Sequence, residues 1–486
     1  MNESNLKLKI NMLLNAIKGV MGIVFPLITF PYVSRVLGTE NLGRFSFSSA
    51  IVNYFSLLAG LGIATYAIRE GSKVRQDEKK VKEFCSQMIT IELIVTPISY
   101  LLLLIALSSS STLKNYRALI LILSWQIAFK AVDVEWIYSI YEDYFFVTAR
   151  SIVIQIISMA LLFIFVHEEK DIYAYAIINV LSSTGSIIFN YFYSRKYCKI
   201  YPTKKIQWRR HIKPILTLFA ISVATTIFVN SDTVLLGFLS TDYHIGLYSV
   251  STKIYTVVKT VLSSILVAAI PRLSAVFYDK SKFNLVASDV YKTLLTFIVP
   301  AIIGLIILNK PIVLLLSNST YLKATSSLTL LAIALFFSLF SWFWGHCILV
   351  PCGKENIVFL STLVAAVTNV VLNFIMIPYW HENAAAFTTI IAEGISYLWA
   401  KVYASRYVTI SDEMNVLIKI LVGSMSIIVI ASLFKPLESH LILYVILVVI
   451  CSCLFYFFVE IMLKNDAVSS IWSGIISKLK KFRERL

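Results

Sequence analysis

The chain has 486 residues, of which 58% are hydrophobic and only 14% charged, and its mean hydropathy is +0.79. A water-soluble protein of this length keeps more charge on its surface, so that class is excluded. The net charge of +16 would suggest nucleic acid in a soluble protein. Here the basic residues gather in short loops and the tail, as membrane orientation requires, and no nucleic-acid partner is expected.

Apolar runs near the length that crosses about 30 Å of hydrocarbon recur throughout. They lack the alternation of barrel strands, so the spans are read as helices, which satisfy their own backbone hydrogen bonds in lipid. The start of the chain has no small-residue cleavage site and is expected to be a retained first helix. Six spans are predicted at 9–30, 45–68, 84–107, 118–138, 145–166 and 172–193. Eight more follow at 214–239, 245–270, 291–316, 328–350, 357–378, 384–403, 415–434 and 440–462.

Three basic segments fall on one side of this count: 69–82, 195–213 and the tail with Lys478, Lys480, Lys481, Arg483 and Arg485. The opposite loops are short and poorer in Lys and Arg, so both termini are expected in the cytoplasm. The 195–213 segment carries Pro202 and eight Lys or Arg residues, and reads as a boundary between lobes.

The stretch around the first turn recurs later in the chain. Leu37, Thr39 and Glu40 match Leu239, Thr241 and Asp242. After a one-residue gap, Leu42, Gly43, Phe45, Ser46, Ser48 and Ile51 match Ile245, Gly246, Tyr248, Ser249, Ser251 and Ile254. A second echo pairs residues 137–174 with 348–385 in the same order. Such repeats are typical of secondary transporters. The expected fold is therefore an all-α polytopic membrane protein with about 14 transmembrane helices. It comprises an N-lobe at 1–194, the cytoplasmic basic linker at 195–213, a pseudo-symmetric C-lobe at 214–406, two extra helices at 407–464, and a basic tail at 465–486. Each lobe holds six helices.

No phosphate-binding Gly-x4-Gly-Lys motif is present, and no long loop outside the membrane is expected to hold a catalytic domain. Most of the six cysteines sit in or beside apolar runs, and Cys451 and Cys453 lie too close on a helix for a zinc-type pair, with no histidines clustered near them, so no metal or catalytic site is expected. Ionisable residues at membrane depth carry the functional signal, because each costs at least about 2.5 kcal/mol there unless it faces a partner or a cavity. Lys18, Lys259 and Glu393 have no close partner in sequence and are candidates for a cavity. Lys130 and Asp133 are three apart on one helical face, so they form either a neutralising pair or part of that cavity. Glu135 is placed nearly opposite Asp133 on the same helix. Asp232 either bonds neighbouring backbone or carries charge for transport. His346 reads as packed among aromatics, and Lys253 as reaching the interface. Isolated lysines suit an anionic ligand such as a phosphate or pyrophosphate. No cofactor is expected, and the acids leave coupling to a proton or a sodium gradient open. Gly43 and Gly246 fall at the two matched turns and are candidates for close packing in a gate.

The segments Pro31-Tyr-Val-Ser-Arg-Val-Leu-Gly38 and Gly43-Arg-Phe-Ser46 resemble the amino-terminal signature of Wzx-type polysaccharide-biosynthesis flippases. That family shares a superfamily with MATE exporters and lipid II flippases. Residues 230–237 with 245–254, the turn Pro351-Cys-Gly-Lys-Glu-Asn356, and the runs 369–378 and 384–393 are similar to later parts of the same family. The resemblance implies two six-helix lobes around a cationic cavity that alternate between inward- and outward-open states. It implies a substrate of undecaprenyl-pyrophosphate-linked oligosaccharide, an O-antigen or related repeat unit, moved from the cytoplasmic to the periplasmic leaflet of the bacterial inner membrane. Polymerase and chain-length proteins of the same pathway are the partners it suggests. By matching position Arg35, Asp232 and Glu393 are family-like, with Arg35 a candidate gate residue beside Gly43 and Gly246, and Lys18 and Lys259 correspond in kind to cavity cations. No acid lies inside the first span, which departs from the MATE exporters. A MATE-like drug exporter and, as the less favoured alternative, a membrane polymerase or transferase of the same pathway are the rival functions; no enzyme is expected.

Overall fold

The computed structural model describes residues 3–465 and 467–469. The tail lysines and arginines from Lys478 onward lie outside these residues. Eleven helices among the described residues are long and apolar enough to cross a membrane. Two of them are double. Helix α1 (Glu3–Gly60) consists of two arms that meet at Gly38, whose φ of 71° and ψ of 174° leave the helical region. Glycine, without a Cβ, adopts this positive φ at no steric cost, and a single residue thereby replaces the longer turn expected between the first two spans. The last double helix in the chain (Glu355–Ala404) breaks in the same manner at His381, with φ 49° and ψ −124°.

The fourth span is not one helix. It runs as short helices: Arg117–Leu123, Trp125–Lys130 and Glu135–Tyr141. Residues 131–134 between the last two are non-helical. Counting this broken segment and the double helices recovers the expected number of passes. The other long helices of the first half are α2 (Ile63–Val74), α3 (Glu78–Ser109), α4 (Tyr144–Phe165) and α5 (Trp208–Leu239), with Ile172–Thr184 and Ile187–Ser194 forming the sixth span. The second half holds α6 (Asp242–Val276), α7 (Lys280–Ile307), α8 (Ala324–Trp342), α9 (Glu355–Ala404), α10 (Glu413–Leu433) and α11 (Leu441–Met462). A π-helical turn, Phe343–Leu349, extends α8 and holds His346, whose ring lies 5.0 Å from that of Trp342.

The repeat is visible in how equivalent helices begin. Asp77 caps α3 by accepting from the backbone N–H of Lys80 at 3.1 Å. Asp279 caps α7 by accepting from that of Lys282 at 3.1 Å. A side-chain acceptor at this position satisfies one of the N–H groups that a helix start leaves open. Each helix also carries one internal proline, Pro97 and Pro300.

Two compact units divide the chain at Gly246, not in the basic segment at 195–213. Helix α5 belongs with the first unit because it packs there closely. Gly237 lies against the Phe47 ring, and Gly62 against the backbone of Phe219. The 195–213 segment itself is tied down. Cys198 and Ile200 are buried. The backbone N–H of Thr203 donates to Thr90 Oγ1 at 2.9 Å, and that of Gln207 to Gln87 Oε1 at 2.9 Å.

His211 completes the anchor. Gln87 Oε1 can only accept, so His211 Nε2 donates to it at 3.0 Å, and Nδ1 accepts from the Tyr66 hydroxyl at 2.8 Å. Gln87→Ala leaves a buried N–H without an acceptor and is expected to cost about 1–3 kcal/mol locally. It should speed tryptic cleavage after Lys204 and Lys205; cleavage at the wild-type rate would show that these bonds do not hold the segment.

Within the second unit, the two arms of α9 are joined by buried amides. Thr388 Oγ1 donates to Asn373 Oδ1 at 2.6 Å, and Asn373 Nδ2 donates to Asn369 Oδ1 at 3.1 Å. These residues lie in the runs that carried the family resemblance, and they hold helix on helix.

Candidate functional site

In the first unit the ionisable residues of the spans meet across helices. Lys18, in the first arm of α1, donates to Glu135 Oε1 at 2.9 Å. Arg150 of α4 reaches the other carboxylate oxygen, Nη2 to Oε2 at 2.8 Å. Glu135 is the first residue of its short helix, and the break at residues 131–134 turns it toward both cations. A continuous helix would have set Glu135 opposite Asp133. Instead the backbone N–H of Glu135 donates to Asp133 Oδ1 at 3.3 Å. Asp133 in turn accepts from Lys130 at 2.7 Å; the pair that their spacing of three allowed forms, but across the helix end and not within one helix.

Glu92 of α3 lies within electrostatic reach of Lys130 and Asp133. It is 3% exposed, and its Oε2 is buried without a hydrogen bond. One turn further along α3, Thr96 Oγ1 is also buried without a partner. The interior of this unit therefore carries acids and hydroxyls that an apolar bundle would avoid.

The second unit also pairs ionisable residues across helices. Lys259 of α6 donates to Glu393 Oε1 of α9 at 3.3 Å and to the Tyr255 hydroxyl at 3.3 Å. Glu393 is nearly buried, while the Lys259 side chain stays about one-third exposed. Lys253, one and a half turns earlier, is half-buried. An apolar pocket of about 380 Å³ lies in the same unit, lined among others by Leu262, Phe297, Pro300, Ile427, Val448 and Tyr456.

The remaining expected residues sit elsewhere. Arg35 is exposed on the turn before Gly38, and Asp232 is buried in α5. Gly43 and Gly246 come together in the first unit. A Cβ on Gly43 would stand 1.9 Å from the carbonyl oxygen of Asp242, and one on Gly246 would stand 2.0 Å from that of Thr39. The two matched turns therefore cross backbone to backbone. The Tyr116 hydroxyl donates to Asp242 Oδ1 at 2.6 Å beside them. Among the described residues, no group of three His, Cys, Asp or Glu side chains could hold a metal ion.

A family model described as polysaccharide biosynthesis protein matches residues 8–277, more than half of the chain. The chain belongs to the polysaccharide biosynthesis protein family. It is similar to a putative O-antigen transporter of Escherichia coli (strain K12), with 24% identity over 287 residues, which cover 57% of this chain and 67% of that protein. Among solved structures it is similar to the lipid II flippase MurJ in an inward closed conformation, with a TM-score of 0.72 at 18% identity, covering 93% of this chain and 99% of that one. An inward-facing multidrug resistance MATE transporter of the MOP superfamily follows at a TM-score of 0.57 and 15% identity, covering 82% and 98%. At these identities the likeness is one of fold, and it makes this family member a multi-pass membrane protein of the MurJ and MATE transporter fold.

Two residues of this polysaccharide biosynthesis protein were not singled out in the sequence. Arg150 lies inside an apolar span, and an arginine there is itself the signal, since its charge must find a partner. Glu92 has the same standing in α3. Both were legible as charges within predicted spans, but neither carries a motif that draws attention to it.

Proposed function

We propose that this family member is a flippase. It moves an undecaprenyl-pyrophosphate-linked oligosaccharide, an O-antigen or related repeat unit, from the cytoplasmic to the periplasmic leaflet by alternating access of its two lobes. The observation that carries this reading is the placement of lysines at membrane depth in both units, each facing an acid: Lys18 with Glu135, Lys130 with Asp133, and Lys259 with Glu393. A pyrophosphate bound at any one of these lysines takes the place of the carboxylate that otherwise neutralises it. The acids Asp133, Asp232 and Glu393 then balance charge between steps, and coupling to a proton or sodium gradient is assigned to them. The apolar pocket against α10 and α11 suits a polyprenyl chain, whose transfer from lipid to such a lining has little cost. Membership of the family and similarity to a putative O-antigen transporter support the substrate class.

In this reading the protein sits in the bacterial inner membrane with both termini in the cytoplasm. It works beside the polymerase and chain-length proteins of its pathway and catalyses no covalent step.

Restoring the gene to a deletion strain should restore surface glycan, measured by glycan staining. Lys18→Gln keeps Glu135 bonded to Arg150, so the protein should reach the membrane at wild-type level. Glycan export should fall at least about tenfold, the cost of one charge-assisted hydrogen bond. Full complementation by Lys18→Gln would overturn the cationic site, and failure of the wild-type gene to complement would overturn the flippase reading.

A further inference from the structure

We propose that Lys18, Glu135 and Arg150 form an oxyanion subsite in which the Glu135 carboxylate stands in for a phosphoryl group of the cargo. The proposal rests on the flippase reading and adds a named place where the anionic head of the lipid is first held. Arg150 is its positioning cation, and Glu135 is the internal ligand that the head displaces.

The geometry is that of a carboxylate shared by two cations from different helices. Glu135 gives one oxygen to Lys18 at 2.9 Å and the other to Arg150 at 2.8 Å. The three side chains together carry one net positive charge. The Arg150 side chain is only 8% exposed, yet its Nε and Nη1 are buried with no acceptor. A guanidinium offers five N–H donors, so one carboxylate oxygen leaves it far from satisfied. Its Cζ lies 5.7 Å from the Phe146 ring centre, which offers a cation–π contact but no lone pair.

An arrangement kept only for stability would not look like this. Buried ion pairs seldom add stability over apolar packing of the same volume, and donors left unmet make the balance worse. A phosphoryl group corrects the shortfall. It brings three outer oxygens and more negative charge than a carboxylate, and it matches the guanidinium fork with two parallel bonds.

The route of entry is also given. Lys18 and Glu135 are each 38% exposed on their side chains, while Arg150 stands behind them. An anion arriving from the open side meets Lys18 first and reaches Arg150 only when Glu135 moves. Glu135 can move because it begins a short helix directly after the non-helical residues 131–134. Rotation of the Glu135 side chain leaves the helical ladder in place, and the backbone N–H groups at a helix start are not tied into that ladder.

The test is calorimetric titration of the purified full-length protein in a maltoside detergent with inorganic pyrophosphate. Removing the competing carboxylate in Glu135→Gln should tighten binding about tenfold, while Arg150→Gln should weaken it at least tenfold. Arg150→Lys should recover only part of the loss, because a point charge cannot form the fork. A purely structural network predicts the opposite sign for Glu135→Gln, since loss of the charge would loosen both cations; binding that is unchanged or weaker in this variant overturns the proposal. The double variant Arg150→Gln with Glu135→Gln guards against misfolding: it leaves no buried unpaired charge, because the one remaining charge, Lys18, is 38% exposed on its side chain, and it should fold but still bind weakly. Wild-type affinity in that double variant also overturns the proposal. The flippase reading is checked separately by surface-glycan complementation with the wild-type gene. Complementation together with a failed Glu135→Gln prediction rejects the subsite alone, whereas no complementation rejects the reading on which it rests.

Discussion

Gly43→Ala and Gly246→Ala are each expected to abolish glycan export, and both are expected to lower the thermal stability of the protein. The added methyl group would stand about 2 Å from a backbone carbonyl oxygen in either case: Asp242 for Gly43, and Thr39 for Gly246. A side chain could turn away from such a clash, but a carbonyl in a helix turn cannot. The turns must separate, at a cost in the upper part of the 1–3 kcal/mol range usual for overpacked sites, or more. The two glycines stand at matched positions of the repeat, and each meets the other's turn, so either substitution should break the same crossing. The Tyr116 bond to Asp242 and the edge contact of Phe47 with Tyr116 at 4.8 Å depend on that crossing as well. Gly304→Ala is the control. Nothing lies within 4 Å of a Cβ at this position, and in a helix interior alanine is worth roughly 0.5–1 kcal/mol over glycine. Export and thermal midpoint measured on the three variants check the argument. If Gly43→Ala matches Gly304→Ala in both measurements, the crossing is not a constraint on the working protein.

The number of passes could be read from the sequence because hydropathy over about 20 residues reports length in hydrocarbon directly. The break in the fourth span could not, because residues 131–134 are no less apolar than their surroundings apart from Asp133. What fails there is the backbone ladder, which hydropathy does not see. That one error carried into the site: on a continuous helix Glu135 faces away from Asp133, whereas the break brings the two into contact and presents Glu135 to Lys18. Lys130 with Asp133 was legible because a spacing of three is a local rule. Lys18 with Glu135 and Lys259 with Glu393 are separated by 117 and 134 residues, and no local rule reaches that far. Neither lysine has a partner close in sequence, which marks it as a charge that needs one without identifying the partner. The basic segment at 195–213 gives the reverse case. Its charge suggested a boundary between lobes, but the backbone N–H groups of Thr203 and Gln207 find acceptors on Thr90 and Gln87 of α3, which composition does not reveal.

Lys259→Gln is expected to remove export altogether, and a second substitution separates the two reasons for that loss. In the single variant Glu393 keeps a nearly buried carboxylate without its cation. Breaking such a pair costs about 3 kcal/mol, the low end of the range for buried pairs, because Lys259 retains contact with open space. Some of the protein should therefore be lost from the membrane. Glu393→Gln alone leaves Lys259 charged, bonded to Tyr255 at 3.3 Å, and reachable from the open side, so it should fold and retain export in part. The double variant Lys259→Gln with Glu393→Gln replaces the ion pair by two neutral amides of similar length, which can hydrogen-bond to each other. Membrane levels should then return to those of the wild type. If the lysine serves the anionic head of the cargo, export stays absent in the double variant, since no amide replaces a cation opposite a pyrophosphate. If the pair only holds α6 against α9, export returns with the protein level. Quantitative blotting of membranes beside glycan staining of the same cells distinguishes these outcomes, and recovery of export in the double variant would remove Lys259 from the transport site.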